Sequence, residues 1–171
     1  MNGFEVDRLL SRVQRGDNAA FEKLYQKTAR GVYAFVYSYL RNHEDAQDIV
    51  QTVFLKVKTH IGAYQVGTNG RAWLLQIAKN AALTELKKRR KSVELEENTA
   101  MVEDFHEETG ITALMAKILD EDERKIVTLH ILWKYKHREI GEMLDIPTGT
   151  VTSKYKRAVE KIKKAYKEEE E

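Results

Sequence analysis

Apolar residues recur at spacings of three and four along most of this chain, and one of its 171 residues, Pro147, is a proline. That spacing is the period of an α-helix, and proline is the residue that most often interrupts one. Together they predict an all-α protein. Phe4, Leu9, Leu10 and Val13 fit a short first helix closed by Gly16, with Asp17 or Asn18 placed to cap the next. Between Ala19 and Leu40 the set Phe21, Leu24, Tyr25, Val32, Phe35, Val36, Tyr39 and Leu40 predicts an amphipathic helix with an aromatic core stripe. A third helix follows Asn42-His43-Glu44-Asp45, with Glu44 and Asp45 in its first turn, and buries Ala46, Ile49, Val50, Val53, Phe54 and Val57. Three glycines in residues 62–70 predict a loop, and a fourth helix runs from about Arg71 to Lys91.

The formal charge of +2 conceals a segregated chain. Residues 1–91 carry sixteen lysines and arginines against eight acids, and residues 124–167 carry twelve against four. Between them, residues 92–123 carry one against eleven, and Glu168 to Glu171 form an acidic tail. Two basic blocks around an acidic one predict two small helical domains, at 1–91 and 111–167, joined by an acidic flexible linker at 92–110. Basic surfaces suit a polyanionic partner, because each phosphate they neutralise releases counterions.

Residues 136–164 have a helix-turn-helix pattern. Ile140, Met143 and Leu144 supply an inward face, and Gly141 is small enough for a close crossing. Asp145-Ile146-Pro147 is the turn, with Thr148 as a cap for the second helix. Val151, Tyr155, Ala158, Val159 and Ile162 give that helix its buried side, leaving Thr150, Thr152, Ser153, Lys154, Lys156 and Arg157 outward. Short hydroxyls and long cations at the start of such a helix suit major-groove base reading and phosphate contact.

Several function classes are excluded or disfavoured. Without cysteine there are no disulfides, thiolate metal sites or cysteine nucleophiles, which fits a cytoplasmic setting. No apolar run approaches the roughly 20 residues of a membrane helix, and Glu5, Asp7 and Arg8 stand where a signal peptide needs an apolar stretch. The chain has no HExxH, P-loop, GxGxxG or nucleophile elbow, and the run 120–123 fails as a calcium loop because Lys125 stands where an EF-hand needs glycine. No catalytic residue, metal or cofactor is expected.

Two motifs in order resemble the bacterial sigma factors of the extracytoplasmic-function type. The first is Asp45-Ala46-Gln47-Asp48-Ile49-Val50-Gln51-Thr52-Val53-Phe54-Leu55, continued by Arg71-Ala72-Trp73-Leu74, Ile77-Ala78-Lys79-Asn80 and the cations 87–91. It is similar to the helix of sigma domain two that docks on the polymerase β′ clamp. The second, Ile146-Pro147-Thr148-Gly149-Thr150-Val151 with Ser153, Arg157 and Ala158, resembles the recognition helix of sigma domain four. The resemblance covers nearly the whole chain. It departs from the family at Thr52, often acidic there, at Thr152, often Arg or Lys, and in a loop 62–70 that lacks an acidic residue.

The resemblance implies an alternative sigma factor that takes core RNA polymerase, through its β′ clamp and β flap, to promoter DNA. Asp45, Asp48, Gln51 and Phe54 would face polymerase, although Phe54 equally suits the core. Loop 62–70 would hold a flipped base of the melted minus-ten element, with Tyr64, Thr68, Asn69 and Asn80 as contacts and Lys79, Lys87, Lys88 and Arg90 on phosphates. Trp73 is left out of that site, being as suited to the core. Thr150, Thr152, Ser153, Lys154, Lys156 and Arg157 would read the minus-thirty-five element. An anti-sigma factor is implied as a further partner. The linker would follow polymerase toward the RNA exit path, or in the free protein fold against the basic domains. A polymerase-independent helix-turn-helix repressor is the competing reading, and it leaves the 45–55 motif unexplained. A helical adaptor that binds neither DNA nor polymerase is a third.

Overall fold

The computed structural model describes residues 3–95 and 111–169. They form eight α-helices and one 3-10 turn, in two compact units. The first holds α1 (Gly3–Gln14), α2 (Asn18–Leu40), α3 (His43–His60), the 3-10 turn (Ile61–Ala63) and α4 (Gly70–Leu95). The second holds α5 (Ile111–Ile118), α6 (Glu121–Ile131), α7 (His137–Leu144) and α8 (Thr148–Glu169). Linker residues 96–110 and the tail's 170–171, about which the sequence raised expectations, lie outside the described residues.

Local chemistry sets the helix ends in the first unit. Gly16 adopts φ +87°, and Asp17, rather than Asn18, caps α2 by accepting from the Ala20 N–H at 2.9 Å. Arg12 pairs with the same Asp17 carboxylate at 2.6 Å. Asn42 caps α3 by accepting from the Asp45 N–H at 2.9 Å, and Asn69 Oδ1 accepts from the Ala72 N–H at 3.1 Å at the start of α4. Val6, Leu9, Leu24, Val32, Phe35, Val53, Val57, Leu74 and Ala78 are buried, so all four helices share one core. Helix α4 runs four residues past the boundary expected at Lys91, because no glycine or proline in residues 92–95 interrupts it.

In the second unit a capping box starts α6. The Glu123 N–H donates to Asp120 Oδ1 at 2.8 Å, and the Asp120 N–H to Glu123 Oε2 at 3.0 Å. Glu123 is buried and receives the Lys161 ammonium at 2.7 Å. Met115, Leu119, Val127 and Ala158 form a core with Ile118, Tyr155 and Ile162 packed against it. Asp145 takes the left-handed conformation at φ 57°, which ends α7 and turns the chain into α8. The Val151 N–H donates to the Pro147 carbonyl at 3.0 Å, so Thr148 begins α8 instead of preceding it as a cap. Glu168 and Glu169, expected in a separate tail, are the last residues of that helix.

Candidate nucleic-acid interface

The outward face of α8 rests on a close backbone approach. A Cβ on Gly141 would lie 2.6 Å from the Ile146 carbonyl oxygen, while the Ile146 N–H donates to the Gly141 carbonyl at 2.9 Å. Only glycine lets the turn fold this tightly onto α7. Val151 and Ala158 then point into the core, and Ser153, Lys156 and Arg157 are exposed on the other side. Thr150 and Thr152 are half-buried at the edge of that face.

Lys154 is not free on this surface. Its ammonium lies 3.1 Å from Asp122 and 3.5 Å from Asp120, and its side chain is 19% exposed. Burial alone would lower its pKa, but the two carboxylates outweigh that and hold it above the ordinary lysine value. Thr152 is also engaged: its hydroxyl donates to the Thr148 carbonyl at 3.0 Å and lies 3.0 Å from His137 Nδ1. The His137, His130 and Tyr155 rings pack together at centroid distances of 4.7–5.0 Å. Burial, and then the neighbouring His130, hold His137 below the ordinary histidine pKa.

In the first unit, α1 straps down the loop before α4. Gln14 donates from Nε2 to the Ile61 carbonyl at 3.0 Å and the Tyr64 carbonyl at 2.9 Å. The Tyr64 hydroxyl donates to Asp7 Oδ1, and the Gly67 N–H donates to the same oxygen at 3.0 Å. Tyr64, expected as a base contact, is therefore buried, with its ring 5.2 Å from Trp73. Burial, reinforced by the Asp7 carboxylate, pushes its hydroxyl pKa up to about 12. What the strap presents outward is Val66, Gly67, Thr68 and Asn69, all exposed. Asn69 uses its oxygen as the α4 cap, which leaves its amide N–H groups toward solvent. Along α4, Asn80, Lys87, Lys88 and Arg90 are exposed and Lys79 is half-buried.

On α3, Phe54 takes the core place of its two expected ones. Phe54 is 4% exposed, edge-on to Tyr25 at 4.8 Å and Phe21 at 6.4 Å, so it belongs to the core. Asp48 and Gln51 are exposed, and the residue that continues their stripe is Leu55, at 63% exposure. The sequence did carry a signal for it: 48, 51 and 55 fall on one helix face, and a leucine there has no core to enter. Asp45 is half-buried and paired with Arg89 of α4, which ties the start of α3 to the basic end of α4. His137 and Arg89 were also missed, because their partners lie 15 and 44 positions away in sequence and no local period marks them.

Comparison with known proteins bears on both units. Residues 24–92 match the family described as Sigma-70 region 2, and residues 116–164 match Sigma-70, region 4. The RNA polymerase sigma factor CarQ of Myxococcus xanthus is 30% identical over 162 residues, covering 90% of this chain and 93% of its own. The ECF RNA polymerase sigma factor SigW of Bacillus subtilis (strain 168) is 25% identical over 178 residues, covering 93% and 95%. In fold, the sigma factor RpoE of Bartonella quintana, solved in complex with the anti-sigma factor NepR, matches with a TM-score of 0.63 at 20% identity, over 86% of this chain and 96% of that one.

Proposed function

This chain belongs to the RNA polymerase sigma factors of the extracytoplasmic-function group, and from that premise we propose how its surfaces divide the work of promoter-specific initiation. The function is that of a promoter-directing sigma factor and not of a free-standing repressor. Core RNA polymerase takes the exposed stripe Asp48, Gln51 and Leu55 on its β′ clamp, with the Asp45–Arg89 pair at the edge. The second unit lies toward the β flap and reads the minus-thirty-five element through Thr150, Thr152, Ser153, Lys156 and Arg157. Lys154 serves chiefly to hold α8 against α6.

The minus-ten element falls to the loop tip and α4. Thr68 and the Asn69 amide take the unpaired base, Asn80 flanks them, and Lys79, Lys87, Lys88 and Arg90 hold phosphates. Tyr64 acts from behind, fixing the loop. The protein works in the cytoplasm without a cofactor, and an anti-sigma factor that covers these faces is its expected antagonist. Among the described residues no helix is long and apolar enough to cross a membrane.

The observation that carries this division is the polar face of α8, where Ser153, Lys156 and Arg157 are exposed opposite the buried Val151 and Ala158 on a helix positioned by the Gly141 turn. Co-sedimentation with core polymerase tests it. Wild type is expected to travel with core and then to retain a promoter fragment, and the Asp48→Arg, Leu55→Ala double variant to be left behind. A chain that binds duplex DNA alone and ignores core would contradict the assignment.

A further inference from the structure

The hydroxyl of Thr152 carries one proton and two lone pairs. In this structure both of its neighbours are inside the protein: the Thr148 carbonyl at 3.0 Å and His137 Nδ1 at 3.0 Å. A backbone carbonyl can only accept, so the proton is committed to Thr148 or, in the other tautomer, to His137. In neither case does it reach a base. The tautomer follows from the far side of the ring, where His137 Nε2 is buried with no hydrogen-bond partner among the described residues. An orphaned N–H is the costlier outcome, so we assign the proton to Nδ1, which donates to Thr152. The ring is pinned there by packing against His130 and Tyr155, 4.8 Å and 5.0 Å away. A second proton on this ring would place an N–H at the orphaned position and a charge beside His130, so the arrangement is that of a neutral imidazole.

We infer that Thr152 is an acceptor-only reader, set in that role by His137 as a positioning residue. This rests on the assignment of α8 to the minus-thirty-five element. With one lone pair left, the hydroxyl selects a base whose major-groove edge offers an amino donor, adenine N6 or cytosine N4, and gains nothing from guanine, whose edge there only accepts. The usual long cation at this position would do the reverse, since Arg and Lys donate to guanine.

The test is promoter retention by the full chain bound to core polymerase, on fragments carrying every single base-pair change in the minus-thirty-five element. Wild type is expected to prefer adenine or cytosine at one position by about fivefold. Thr152→Val should abolish that preference and Thr152→Ser should keep it. His137→Phe leaves the proton with the Thr148 carbonyl but frees the hydroxyl to turn, so it should weaken the preference at that position alone, and His137→Asn, which restores an N–H donor, should return it; an unchanged preference in His137→Phe would overturn the positioning role, and a merely structural role would weaken all positions together. The inference is overturned if the position that responds to Thr152→Val prefers guanine or thymine, if the valine variant keeps the preference and the serine variant loses it (methyl contact), or if no position responds. In each of these cases Arg157→Ala still weakens retention, so the assignment of α8 stands. If Arg157→Ala is also silent, that assignment fails and takes the inference with it.

Discussion

Gly141 and Ile146 meet backbone to backbone, with 2.6 Å between the carbonyl oxygen of one and the Cβ the other lacks. Alanine is ordinarily the better helix residue by about 1 kcal/mol. Here the methyl group would meet a carbonyl that the turn holds in place, and overpacking of this kind costs about 1–3 kcal/mol. Gly141→Ala is therefore expected to lower the denaturant midpoint of the second unit and leave that of the first unchanged. An equal or higher midpoint would mean that the turn is looser than described.

The salt dependence of promoter binding separates the cations of α8. Each phosphate neutralised adds about 0.9 to the slope of log affinity against log salt. Lys156→Ala and Arg157→Ala should each reduce that slope by about this amount. Lys154→Ala should leave it nearly unchanged, because Asp122 and Asp120 already hold the ammonium. Asp122→Asn should raise the slope by releasing it, and Asp122 is chosen because Asp120 also caps α6. A fall with Lys154→Ala equal to that of Lys156→Ala would contradict the pairing.

Tyr64 gives a dependence on alkaline pH. An unfolded tyrosine titrates near 10, whereas burial and Asp7 push this one up to about 12. The folded state therefore favours the neutral hydroxyl. The resulting stability is complete below about pH 10 and is lost as pH rises toward 12, where the folded form also ionises. Tyr64→Phe removes the titration and one hydrogen bond, for a loss of about 1 kcal/mol at neutral pH. Denaturant midpoints at pH 9 and 11.5 should converge between the two proteins. A constant gap would refute the assignment.

Phe54 and Leu55 are neighbours with opposite fates, one in the core and one in solvent. Phe54→Ala should cost about 3–5 kcal/mol of stability. Leu55→Ala should stay within about 0.5 kcal/mol of wild type while weakening core polymerase binding severalfold. Thermal melts and a binding titration of both variants check this, and the account fails if Leu55→Ala melts early or binds core as wild type does.

How much of this was legible beforehand differs by residue. The all-α class, the helix-turn-helix and its glycine followed from period and spacing, since those features are local. In sequence Phe54 suits the core and the polymerase face equally, and Tyr64 suits a base contact, because a sequence gives the apolar stripe of a helix but not how wide a sector its neighbours cover. Phe21 and Tyr25 from α2 widen the core over Phe54. Asp7, 57 positions from Tyr64, draws its hydroxyl inward. Lys154 looked like a phosphate contact until α6 supplied its acids, which no spacing rule connects to α8.

Run-off transcription on a library of promoter fragments, with core polymerase alone and with this chain added, tests the central claim most directly. The account predicts selective, polymerase-dependent initiation from a subset of fragments, and a loss of that selection with Arg157→Ala. Transcription that is the same with and without the chain, on every fragment, would contradict it.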